Sequence, residues 1–185
     1  MAQRFQDKVV IVSGAGSVGP GWGNGRAAAV LFAQEGARVY GVDRNLAAME
    51  ETAARIAEAG GSFTPVECDV TSLAAVRDMV ADCHARFGRI DVLVNNVGGS
   101  AAGGPVEMSE EVWDTQVDFN LKSVFLTCKH VLPIMEAQGK GAIVNLASTS
   151  GIRWTGSALV AYAACKAGVI LFGKVVAVQF AAKGI

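Results

Sequence analysis

Residues Ser13–Gly25, SGAGSVGPGWGNG, place six glycines in thirteen residues directly after the apolar run VVIV. A G-x-G-x-x-G pattern falls on Gly14, Gly16 and Gly19. If a helix began near Gly16, then Pro20, Gly21, Gly23 and Gly25 would lie in its first turns and interior. There proline costs about 3 kcal/mol and each glycine about 1 kcal/mol relative to alanine. That sum rules the reading out. The helix is expected to begin at Asn24–Arg26, where the alanine-rich pattern sets in. The working spacing is then Gly14, eight residues, and Gly23-Asn24-Gly25. Gly14 turns the chain off the strand, while Gly23 and Gly25 let backbone approach a pyrophosphate and let the helix pack on the sheet. A glycine loop wedged between a first strand and a first helix favours phosphate binding over a flexible surface loop.

Outward from the loop, strand and helix signals alternate. KVVIVS, ARVYGVD, SFTPVECDV, IDVLVNN and GAIVNLAS read as five strands. Between them RAAAVLFAQEG, NLAAMEETAARIAEAGG, SLAAVRDMVADCHARFG and a long helix capped by Ser109 carry helical composition. A last helix is expected from near Ser157 toward Lys183. Unmixed apolar strands alternating with helices predict a doubly wound parallel sheet covered on both faces, a Rossmann-type three-layer αβα fold in one domain over residues 1–185.

A formal net charge of −1 over 185 residues offers nothing to nucleic acid or an anionic membrane. No secretory signal fits MAQRFQD, and the apolar stretch 167–182 reads as a buried helix, too short to span a bilayer. Cys68, Cys83, Cys128 and Cys165 lack metal-ligand spacing and suit a reduced, cytoplasmic setting, although four cysteines also permit pairing. His84 and His130 read as ordinary helix residues, and no metal site is expected.

Asp43 ends the second strand eighteen residues after Gly25. That is near the offset at which a carboxylate accepts ribose hydroxyls and repels a 2′-phosphate, which favours NAD(H). Arg44 follows it and, as a phosphate partner, leaves NADP(H) open. In YAACK, Tyr162 and Lys166 lie at i and i+4 on one helix face. A free phenol ionises near pH 10, and a neighbouring ammonium favours the phenolate needed for acid–base work. Ser148, at the end of the fifth strand, is placed to hydrogen-bond a reacting oxygen; its structural alternative is a strand-end cap.

With these pieces in order, the whole chain resembles the short-chain dehydrogenase/reductase family. The motifs read SG…GNG, Asp43, CDV, NNVG, Asn120, Ser148 and YAACK. The resemblance implies Tyr162 as general acid/base, Lys166 as its pKa-lowering partner on the nicotinamide ribose, and Ser148 as substrate-orienting. It gives Asn120 a water relaying protons to Lys166, Asp69 and Val70 contact with adenine, and Asn96 and Gly98 a place along the cofactor. Departures are five extra loop residues including Pro20 and Trp22, Ser13 for threonine, Val97 for alanine, and one extra residue between Ser148 and Tyr162. Thr149 has the usual spacing and is held in reserve.

The expectation is an NAD-dependent oxidoreductase interconverting a secondary alcohol and a ketone as a homodimer or homotetramer. The alternatives are an NADP(H)-dependent ketone reductase and a nucleotide-binding protein without turnover. The family pattern also leads one to expect two further strands and a covering helix after AAKGI. The chain is therefore expected to be a truncated form or partial record of a protein roughly 250 residues long.

Overall fold

The computed structural model describes residues 3–185. Val9–Ser13 forms β1, buried along its whole length. It lies between β2 (Arg38–Asp43) and β4 (Val92–Asn95), with β3 (Ser62–Glu67) outside β2 and β5 (Ala142–Asn145) outside β4. Every pairing is parallel, and Ile11 stands in register with Tyr40 and Leu93. A run such as VVIV suits a strand covered on both faces, where polarity need not alternate.

Because successive side chains point to opposite faces, the sheet builds two cores. Val10 and Val12 pack with Ala29, Val30 and Ala33 of α1 (Asn24–Gln34) and Ile56 of α2 (Glu50–Glu58). Val9 and Ile11 pack on the other face against α3 (Leu73–Phe87), α5 (Ser123–Gln138) and Val169 of α6 (Val160–Phe180). The fold is the expected three-layer Rossmann-type sheet. Pro65 sits on β3, an edge strand, where a missing amide donor is tolerated. β5 forms the other edge, with Val144 48% exposed.

Several boundaries differ from the sequence reading. Leu46–Met49 is a 3-10 turn capped by the Asn45 side chain, and α2 proper starts only at Glu50. Ser109 does cap a helix, α4 (Glu110–Val117), but Asp118–Lys122 is a π-helical turn that separates α4 from α5. The largest correction concerns α6. Read as a buried helix too short to cross a bilayer, it runs with its terminal 3-10 turn from Val160 to Lys183 and is mostly uncovered. Leu171, Val175 and Val178 face outward. Its 24 residues and mean hydropathy of 1.6 are enough, by length and composition only, to span a membrane, a test that core helices of soluble proteins also pass.

Asp91 ties three strand starts together. Its carboxylate accepts from Val9 N at 3.0 Å and Arg89 Nε at 2.7 Å, and lies 3.3 Å from Lys8 Nζ. Its carbonyl accepts from Ala142 N at the start of β5. Burial pushes the Asp91 carboxyl upward, but the Arg89 guanidinium, the Val9 amide and Lys8 outweigh it and hold the group below the ordinary aspartate range. A carboxylate with a depressed folded-state pKa adds stability above its unfolded pKa of about 3.9, and that stability is lost as pH falls through the folded value. Asp91→Asn is expected to cost about 1–3 kcal/mol near pH 7. In urea melts at a series of pH values, the gap from the unmodified protein should close once pH drops below about 4.

Candidate active site

The step from β3 at one edge, through α3, to β4 on the far side of β1 makes the β1/β4 boundary the switch point of the sheet. Ligands of doubly wound folds bind outside the carboxyl ends of the strands at such a point. Here a cleft of about 1080 Å³ opens there, lined by the residues that follow all five strands.

Its floor is the glycine turn. Gly14 adopts φ +66°, a left-handed conformation that side chains rarely take. A Cβ on Gly25 would lie 1.8 Å from the Gly14 carbonyl oxygen, so α1 is laid directly on the turn. Ser13 and Asn96 brace the junction. Ser13 Oγ donates to Val94 O and accepts from Asn96 N at 3.1 Å, and Asn96 Nδ2 donates to Gly14 O at 3.0 Å. Helix α1 begins at Asn24, as the proline argument requires. Its cap, Gly23, has no side chain to offer, and its first turn holds no acidic residue. Ser72 and Ser109, by contrast, cap α3 and α4. The first-turn amides of α1 therefore meet the cleft without a side-chain acceptor, beside Gly23, Asn24 and Gly25 on the cleft wall.

At one end of the cleft, Asp43 Oδ2 accepts from Gly16 N and Oδ1 from Asn45 N, both at 3.2 Å. A carboxylate has about four acceptor sites, so half remain for ribose hydroxyls. Arg44 lines the same wall. Asp69 is folded into a local turn, accepting from Thr71 N and Thr71 Oγ1 with its Oδ1, and buried Val70 lies beside it on the cleft surface.

At the opposite end, Tyr162 and Lys166 project from α6 into the cleft. Lys166 Nζ lies 5.7 Å from the Tyr162 ring centroid and donates to Leu146 O at 2.7 Å. Burial pushes its ammonium below the ordinary lysine range. A Cβ at Gly98 would come within 3.0 Å of both Lys166 Nζ and Asn120 Oδ1, so glycine leaves room for these three to converge.

Residues 8–185 match the sequence profile of the short chain dehydrogenases. The chain belongs to the short-chain dehydrogenase/reductase family. It is 40% identical over 183 residues to the 3beta-hydroxysteroid dehydrogenase of Mediterraneibacter gnavus, covering 98% of this chain and 64% of that protein. It is 38% identical to the levodione reductase of Leifsonia aquatica, covering 98% and 67% respectively. A short-chain dehydrogenase/reductase from Burkholderia xenovorans shares the fold at TM-score 0.97 and 59% identity, over 100% of this chain and 73% of that one. The chain thus spans 64–67% of the length of the two enzymes named first.

Members of this family are oxidoreductases that use nicotinamide cofactors. The residues present fit such a group: acceptor-free helix amides for a pyrophosphate, a part-satisfied carboxylate for a ribose, and a buried ammonium beyond. Two positions differ from their expected roles. Asn120 does not reach the cleft surface. It is fully buried in the π-helical turn, with Nδ2 donating to Gly99 O and Gln116 O and Oδ1 accepting from Gly99 N. Its side chain braces the loop after β4, with both Nδ2 protons engaged and one Oδ1 acceptor position remaining. Ser148 Oγ accepts from Ser150 N as the cap of a 3-10 turn, Thr149–Gly151, and neither it nor exposed Thr149 lines the cleft. Sequence reasoning missed Gln116, which lines the cleft and accepts from Ala101 N. Its position four residues before Asn120, on the same helix face, was the available signal. Among the described residues, no group of three His, Cys, Asp or Glu is placed to hold a metal.

The geometry separates the two ways of counting the glycines. Gly25→Ala must push α1 off the turn and should cost more than about 3 kcal/mol. At Gly19 an added Cβ meets nothing within 4 Å. Gly19→Ala should therefore change stability by less than about 1 kcal/mol. Thermal melts of the two variants, with and without dinucleotide, check this.

Proposed function

We propose that this protein catalyses the interconversion of a secondary alcohol and a ketone with NAD(H). The observation that carries the reading is that one cleft joins the unsatisfied amides of α1, Asp43 and the Tyr162–Lys166 pair. When bound, the nicotinamide gives or accepts the hydride. The remaining chemistry belongs to the protein. Tyr162 Oη takes the hydroxyl proton during oxidation and returns it to the carbonyl oxygen during reduction. The Lys166 ammonium, poorly solvated and with two donors beyond its bond to Leu146 O, stands beside Tyr162 and binds the nicotinamide ribose. Ser148 orients the substrate oxygen from the rim. Asn120 acts by fixing Gly99, next to Gly98, which faces the same ammonium.

Asp43 favours NAD(H), because its free acceptor positions suit ribose hydroxyls and its charge opposes a 2′-phosphate. Arg44, which lines the cleft and forms no ion pair among the described residues, supports the second reading, NADP(H). A secondary alcohol screen with both dinucleotides, read by absorbance, tests both points. Tyr162→Phe should lower turnover about 10²–10⁴-fold while leaving dinucleotide binding unchanged. Asp43→Ala should weaken NAD(H) about tenfold and relax rejection of NADP(H). Equal affinity of the unmodified protein for the two dinucleotides would sink the assignment, and substantial turnover by the phenylalanine variant would require another acid/base.

The reading includes a homodimer or homotetramer in the cytoplasm. Four buried thiols without disulfides support a reducing compartment. The outward stripe of α6 lies next to α4, which exposes Val112 and Trp113. Exposed apolar residues on two neighbouring helices support an interaction surface there. Sedimentation should show a mass that rises with concentration toward two or four chains; a concentration-independent monomer would overturn it.

A further inference from the structure

The lengthened glycine loop is anchored at its two ends, although Val18 and Trp22 within it are exposed. The fastener is Arg26 in the first turn of α1. Its side chain points away from the cleft and is almost completely buried. Burying a guanidinium is tolerated only where its donors are met. Here Nε donates to Thr52 Oγ1 at 3.1 Å, Nη1 to Glu51 Oε2 at 2.5 Å and to Gly21 O, and Nη2 to Ala48 O at 3.3 Å. Thr52 Oγ1 in turn donates to Ala15 O at 2.9 Å. One guanidinium therefore reaches the start of the loop through Thr52 and its end through Gly21. Glu51 also accepts from Arg55 Nη2 at 2.6 Å, and the Arg55 guanidinium lies 4.4 Å over the Trp22 ring. The first half of the loop is pressed on the 3-10 turn that precedes α2: a Cβ on Gly16 would lie 2.8 Å from Ala48 Cβ. Between these anchors only Ser17–Pro20 spans free, and Ser17 and Val18 line the cleft.

We propose that Arg26, with Glu51, Arg55 and Trp22, forms a latch that seats the lengthened loop on α2 and thereby positions its backbone for the dinucleotide. The inference rests on the cofactor reading above. These are positioning residues, acting through Gly21 and Ala15 and not by touching the ligand. The latch couples two requirements. The buried charge has all four of its acceptors, Gly21 O included, only when the loop is seated, and the loop tip has a fixed place at the cleft only while the charge is held. Lysine cannot substitute, because a single ammonium does not spread to four acceptors on three segments.

The test uses the whole chain in four variants: Arg26→Met, Arg26→Lys, Glu51→Gln and Trp22→Ala. Hydrogen–deuterium exchange reports the loop, residues 15–23, and calorimetric titration with NADH reports binding. The expected result is loop exchange at least about tenfold faster in each Arg26 variant, with β1 unchanged. The NADH Kd should rise by about tenfold or more, and Arg26→Lys should not rescue it. Where turnover is measured, KM for the dinucleotide should rise while kcat at saturation holds, a split that general destabilisation does not give. Unchanged loop exchange in all four variants would overturn the latch, and faster exchange with an unchanged NADH Kd would overturn its positioning role. If Arg26→Met does not fold, Glu51→Gln and Trp22→Ala, nearer the surface, decide the matter. An unmodified protein that binds no dinucleotide would refute the cofactor reading and the positioning role with it, leaving exchange to judge the latch alone.

Discussion

The contact between Gly25 and the Gly14 carbonyl sets the distance between the first helix and the central strand, and nearly everything in the cleft is measured from it. Because neither position carries a side chain, α1 settles deep enough for its amides to meet the cleft floor. Asn96 can then reach across from β4 to the Gly14 carbonyl, and Ser13 back to the Asn96 amide. The two strands at the switch point are thus locked by side chains as well as by their ladder. A bulkier residue at either glycine would separate the phosphate-facing amides from the strand ends that carry the rest of the site.

The opposite wall depends on a departure from regular structure. The π-helical turn at Asp118–Lys122 interrupts what would otherwise be one helix, and Asn120 sits inside it. π-Turns cost hydrogen-bond geometry and recur at functional sites. Here the turn lets an asparagine meet both the amide and the carbonyl of Gly99 while its own helix continues. Gly98 is thereby held against Lys166, and the ammonium's surroundings are set by a brace that never touches the cleft surface.

The legible parts of this architecture were those governed by strong local chemistry. Proline and glycine costs placed the start of α1 within Asn24–Arg26, and apolar runs marked the strands, with Asp43 at the end of the second. β4 and β5 end at Asn95 and Asn145, short of the Asn96 and Ser148 ends read from the sequence, because the ladder stops where the chain turns into the cleft loops. Tyr162 and Lys166 stood out by helical spacing, and the family resemblance gave them their roles. What escaped depended on tertiary partners. The bracing role of Asn120 was not visible, because its partners in Gly99 and Gln116 are contacts made only on folding. Arg26 was a charge among alanines until the fold placed Gly21 and Glu51 around it. The last helix reads from its sequence as apolar nearly all round, more than one sheet-facing stripe needs, but which part of it is left uncovered is set by its neighbours.

Strand order has a consequence in time. β1 pairs with β4 across some eighty residues of intervening chain, whereas β2 and β3 are nearer in sequence. Closing such long loops is slow relative to forming local contacts. As the chain leaves the ribosome, the glycine turn, Asp43 and the first layer of helices can assemble early around β1. The face of β1 that receives β4 then stays open until residues beyond 95 have emerged. During that interval the phosphate-facing half of the cleft exists without its opposite wall, and the exposed edge of β1 is the surface most in need of protection from a wrong partner.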